Sequence, residues 1–134
     1  MKMKFLFAGL FLLLIQSAIT AQSSISQKLI GKWEAEDAAK EVGSFEFLDS
    51  INIVMTIPDQ PLPPGTYTID TTKNPMWLDI TIPGGPTLKN LIKFADANTL
   101  KWQVFFDGKR PAAFVKETSE NTIILKRKTA AKSQ

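Results

Sequence analysis

From Gly31 onward, short apolar-alternating stretches recur about every ten residues, separated by Gly, Pro, Asn and Asp. Successive side chains on a strand point to opposite faces, so each stretch acquires one apolar and one polar face. No convincing helical period competes with this pattern. In the first stretch, Lys32 to Asp37, Trp33 and Ala35 share one side and Lys32, Glu34 and Glu36 the other. Phe45 and Phe47 follow, then the turn Asp49-Ser50, then Ile51, Ile53, Met55 and Ile57. Beyond the Pro-rich loop Pro58 to Gly65 come Tyr67 and Ile69, and after Thr71 to Pro75 come Met76, Leu78, Ile80 and Ile82. Past Pro83-Gly84-Gly85-Pro86, Leu88, Asn90, Ile92 and Phe94 share a parity; past Asp96-Ala97-Asn98, so do Leu100, Trp102, Val104 and Phe106. Short strands are predicted near Ala113 to Lys116 and Thr122 to Lys128, and Asp107-Gly108 suits a tight hairpin.

About eight or nine antiparallel strands with mostly short connections predict an all-β fold, a single up-and-down barrel, because closure removes exposed strand edges. A sandwich would produce the same alternation and is the runner-up. Ser26 to Ile30 is expected to form one helical turn capped by Ser26 ahead of the first strand.

The first residues belong to another pattern. Lys2 and Lys4 precede the apolar run Phe5 to Ile15, and small residues lead to Ala21: the layout of a signal peptide over 1–21 with cleavage near Ala21. The run is shorter than the roughly 20 apolar residues that span a bilayer. The chain has no Cys, which excludes lipoprotein processing and a disulfide framework, and no His. Imidazole-dependent catalysis and His- or Cys-ligated metal sites are thereby excluded. The expectation is a barrel domain over 22–128 with a disordered polar tail over 129–134. The protein would be exported, periplasmic or secreted, and soluble once processed rather than integral to a membrane.

The charge does not indicate nucleic acid. Taking Lys2 and Lys4 from the 16 basic residues leaves 14 against 13 acidic ones; setting aside Lys126, Arg127, Lys128 and Lys132 leaves 10, a body charge of −3. A nucleic-acid binder concentrates positive charge on a face, and this body does not.

Gly31-Lys32-Trp33 at the start of the first strand resembles the Gly-x-Trp motif of lipocalins, which often place a basic residue near the end of the last strand, over that Trp. Arg127 follows Ile123 and Leu125 on the same parity and fits that position. Gly65 to Asp70, Pro75 to Thr81, Gly85 to Leu88, Asn98 to Trp102, Gly108 to Pro111 with Phe114, and Leu125 to Arg127 are similar to a group of small exported bacterial lipocalin-like domains. The connection around Ala38 to Val42 is shorter than in that group. The resemblance implies a barrel and export, and carries over no catalytic residue.

Trp33 and Arg127 are expected to pin the chain ends together. The inward apolar set either lines a ligand cavity or fills the interior, since an eight-stranded barrel permits both. Tyr67 and Asn90 are the polar groups with inward parity, and with Phe94 and Trp102 they form the candidate ligand-binding set. The Pro58 to Gly65 loop is either a lid or a rigid rim. Trp77 and Phe105 have outward parity and would mark a contact surface if exposed. Glu34, Glu36 and Asp79 fall on the outer face, where carboxylates serve solubility, so no catalytic residue, metal or cofactor is expected. The leading expectation is a monomeric barrel, not an enzyme, that binds a small apolar or amphipathic molecule. The alternative is a filled protein-interaction or inhibitor-type barrel that works through loops and exposed aromatics.

Overall fold

A computed structural model describes residues 25–36, 43–118 and 120–128. The expected signal segment over 1–21, the Ala38 to Val42 connection and the tail over 129–134 lie outside the described residues. The strands are β1 (Gly31–Ala35), β2 (Ser44–Phe47), β3 (Asn52–Thr56), β4 (Gly65–Asp70), β5 (Met76–Thr81), β6 (Thr87–Asp96), β7 (Thr99–Phe105) and β8 (Thr122–Lys128). They form a closed antiparallel barrel in sequence order. Closure is made by β1, which pairs with β2 along one edge and with β8 along the other.

Register places the predicted inward residues opposite one another. Trp33 faces Phe45, Phe45 faces Met55, Tyr67 faces Ile80, Leu78 faces Asn90, Ile92 faces Trp102, and Leu100 faces Leu125. Cross-strand pairs of this kind hold a sheet together. Aromatic contacts tie the waist across the barrel: Phe45 to Trp102 at 4.7 Å, and Phe47 to Tyr67 edge-on at 4.9 Å. Each contributes about 0.5–1.5 kcal/mol beyond the area it buries.

The connections divide into two ends. The base carries the β2–β3, β4–β5 and β6–β7 turns, the start of β1 and a helical stretch over 25–29. Ser26 sits inside that helical stretch rather than ahead of it as a cap. Leu29 of the same stretch is fully buried, and its carbonyl accepts the Trp33 indole N–H at 2.9 Å. The opposite end carries the β1–β2, β3–β4, β5–β6 and β7–β8 connections.

The β7–β8 connection departs from the sequence expectation. Ala113 to Lys116 forms no strand, and Asp107-Gly108 begins a long connection instead of closing a hairpin. That connection lies on the outside of the barrel. Outward Trp77, Leu91, Gln103 and Thr122 are consecutive register partners across β5, β6, β7 and β8. Arg110 stacks on the Trp77 ring at 4.1 Å and pairs with Asp79. The Gln103 side chain donates to the Val115 carbonyl at 3.0 Å and accepts the Val115 N–H at 3.0 Å, as a strand neighbour would. Leu91 and Gln103, polar-face positions by parity, are therefore fully buried.

Candidate functional site

The waist of the barrel is filled. Trp33, Ile53, Leu78, Ile92, Leu100 and Leu125 are 0% exposed, and Phe47, Ile80 and Trp102 are 1% exposed. A side chain beside a water-sized void keeps surface open to it, and these keep essentially none. Their bulk, read from sequence as able to line or to fill the interior, fills it here.

The candidate ligand residues divide accordingly. Asn90 Nδ2 donates to the carbonyls of Leu78 at 3.0 Å and Leu88 at 3.1 Å, while its Oδ1 accepts the Trp102 indole N–H at 2.7 Å. Both donors and the oxygen are thus engaged, as burial of an amide demands. Trp102 lies between that bond and the Phe45 ring. The Tyr67 hydroxyl donates to the Asp49 carbonyl in the β2–β3 turn. Burial raises the phenol pKa, with the nearby Asp49 charge adding to the effect. Asn90, Trp102 and Tyr67 therefore brace the waist. Phe94, the fourth, lines a pocket at the base.

That pocket, of about 400 Å³, lies at the base. Three separated parts of the chain converge on it. Ile25 and Lys28 come from the helical stretch, and Thr71, Lys73 and Asn74 from the β4–β5 connection. Met76 opens β5, and Ile92, Lys93, Phe94 and Asp96 come from the end of β6 with Ala97 just beyond it. Met76 and Phe94 are inward residues at the end of their strands, where the core runs out, and both remain partly exposed while packing on it. Phe94 also meets Trp33 at 6.0 Å, so the pocket wall continues into the barrel core. The volume falls within the roughly 300–1,000 Å³ of small-molecule sites.

Its electrostatics are set by lysines. Lys28 and Lys93 are exposed and have no side-chain partner among the described residues, and Lys73 Nζ lies 5.0 Å from the Trp77 ring centroid. Asp96 is the acidic group in the lining, and it is committed elsewhere. Its oxygens accept the Asn98 N–H at 2.8 Å and the Thr99 hydroxyl at 3.0 Å. These bonds, the backbone one first, hold its pKa below the usual carboxylate range. The residue set that builds this pocket was not legible as a site in the sequence, because Ile25 and Phe94 meet only through the fold.

A second cavity, of about 420 Å³, is lined by Val54 to Ile57 and Asp59 to Leu62. All of it comes from one stretch of chain, the end of β3 folding into the Pro-rich loop. Leu62 of that loop packs on the core, which ties it down as a rim.

The carboxylates singled out earlier are engaged in ion pairs. Glu34 pairs with Lys128 at 3.2 Å, Glu36 with Lys126 at 3.8 Å, and Asp79 with Arg110. Trp77, expected as a free outward aromatic, is half-buried under Arg110 and beside Lys73, and Phe105 is likewise half-buried. No helix among the described residues is long and apolar enough to cross a membrane.

Fold and packing define the class: a closed, eight-stranded antiparallel meander barrel with a filled waist and a pocket at its base. No family model, curated protein or solved structure matches the chain.

Proposed function

We propose that the protein is a lipocalin-like barrel that binds a small apolar or amphipathic molecule, without chemistry of its own, in the pocket at its base. The observation that carries this reading is the convergence of three chain segments on one cavity of about 400 Å³ with inward Met76 and Phe94 in its wall. Binding there leaves the filled waist undisturbed. The basic and then apolar leader before Ala21 supports action after export.

Titration with the neutral fluorescent probe N-phenyl-1-naphthylamine tests it. The expected result is saturable enhancement at one probe per chain, lost in Ala97→Trp, which fills the pocket from an exposed turn position. Undiminished binding by that variant would move the site elsewhere. Absence of any binding by the wild type would remove the ligand reading.

A protein-docking barrel is the second reading, favoured by exposed apolar side chains near the base. Ile30 is 37%, Leu48 50% and Ile51 58% exposed, and the first two flank the Gly31 and Phe47 register pair. Isolated exposed aliphatics are common on monomers, so this reading takes precedence only if the probe fails to bind.

A further inference from the structure

The pocket at the base is apolar within and cationic around its edge. Ile25, Met76 and Phe94 supply hydrocarbon surface, while Lys28, Lys73 and Lys93 come from three different segments around it. Of the four charged side chains in the lining three are basic and one, Asp96, is acidic, so the lining is net positive. Asp96 keeps its negative charge and offsets part of this, and Asp70 lies close enough to Lys73 for that lysine to help lower its pKa, so Lys28 and Lys93 are the lining lysines left without a carboxylate partner among the described residues. Lys28 and Lys93 have no side-chain partner among the described residues, so an incoming anion displaces no existing ion pair at either.

We propose that the ligand is an anionic amphiphile, a single aliphatic chain ending in a carboxylate. The chain lies against Ile25, Met76 and Phe94, and the carboxylate lies at the edge between Lys28 and Lys93. This assignment rests on the reading that the base pocket is the binding site, and adds its head-group chemistry. Entry is from the base, between the helical stretch and the β4–β5 connection, because Trp102, Asn90 and Leu78 block passage through the waist. A neutral amphiphile of the same length keeps the apolar contacts and forgoes the charge contacts. Cationic amphiphiles meet repulsion from Lys28 and Lys93.

Displacement of bound N-phenyl-1-naphthylamine by dodecanoate, dodecanol and dodecyltrimethylammonium at pH 7, each below its micellar concentration, tests the assignment. Dodecanoate is expected to displace the probe about tenfold more tightly than dodecanol, as two partly exposed charge contacts provide. The cationic amphiphile is expected to be weakest. The carboxylate advantage is expected to shrink as salt is raised from low to physiological strength. It is expected to disappear in the Lys28→Gln/Lys93→Gln variant, read as the ratio of dodecanoate to dodecanol displacement so that any change in probe affinity cancels. Equal displacement by dodecanoate and dodecanol, or an advantage that survives the double substitution, overturns the head-group assignment and leaves the pocket in place. A wild-type protein that never binds the probe overturns pocket and assignment together.

Discussion

The guanidinium of Arg127 lies over the indole of Trp33, 4.3 Å from its ring centroid. From that position Nη1 donates to the Ile30 carbonyl at 2.8 Å, and Nη2 donates to the Lys28 and Ala97 carbonyls. One side chain near the end of β8 thus holds the helical stretch, the start of β1 and the β6–β7 turn, and covers the Trp that fills the base of the core. The base pocket sits beside this junction and shares Lys28 and Ala97 with it.

Trp33→Ala should cost about 3–5 kcal/mol, the usual loss for a buried aromatic. Arg127→Ala should cost less, and the two should couple by about 0.5–2 kcal/mol in a double-mutant cycle. Urea denaturation measures all three variants, and additive losses would mean the stacked pair is not an energetic unit.

Gly31 is the one residue type that fits its place. Its φ is +127°, and a Cβ there would come within 3.0 Å of Arg127 Nη1. Gly31→Ala therefore meets backbone strain and displaces the guanidinium, with an expected loss of about 1–3 kcal/mol. In the Arg127→Ala background the steric part of that loss should vanish. An unchanged penalty there would assign all of it to the backbone.

Asn90→Leu leaves the Trp102 indole N–H and two strand carbonyls without their side-chain partner inside a dry waist. A loss of about 2–3 kcal/mol is expected, together with a changed Trp fluorescence spectrum. Probe affinity should be retained under native conditions, because Asn90 braces the waist and does not line the base pocket. A selective loss of probe affinity without destabilisation would return Asn90 to the binding set.

Gln103→Leu keeps the bulk under the outer connection but removes the paired bonds to Val115. Amide exchange at Val115 should accelerate strongly while β7 amides stay protected, since local opening needs far less free energy than global unfolding. Uniform acceleration through the barrel would show that the connection is integral to the closed fold.

Acid should act on the base first. The Asn52 side chain and neighbouring backbone N–H groups lower the Asp49 pKa, Thr72 lowers that of Asp70, and the Asn98 and Thr99 bonds lower that of Asp96. A carboxylate lowered in the folded state binds its proton more readily when unfolded. Its contribution to stability is therefore present above the ordinary value near pH 3.9, and is lost as pH falls through the lower folded value. Stability measured by urea at stepped pH should hold down to about pH 4 and decline below it. Asp96→Asn should flatten that decline, and an unaltered slope would remove Asp96 from the acid response.

The alternation of Ile53 and Met55, of Leu78 and Ile80, and of Leu100 and Trp102 made the strands and their inward faces legible, because a strand's two-residue period is a local property of its backbone. Strand edges shifted by a residue or two, and Trp33 and Arg127 met as the resemblance to the lipocalin motif implied and as their parity allowed. Parity does not say whether a face is later covered, which is why Leu91 and Gln103, outward by position, end buried under the β7–β8 connection. Nor does it say that the polar groups of Asn90 and Tyr67 are consumed by carbonyls. Those carbonyls belong to Leu78 and Leu88 for Asn90, and to Asp49 for Tyr67.

By itself the sequence determined a run of short strands and which side of each would be apolar, while the pairing of the first strand's Trp with the last strand's Arg was implied by a resemblance that parity supported. Tertiary structure alone decided that the waist is solid, that a loop roofs one outer face, and that a pocket opens at the base between Ile25, Met76 and Phe94. The reason is physical. Periodicity follows from neighbouring backbone geometry, whereas filled and empty volume follows from how side chains distant in the chain interlock once the barrel closes.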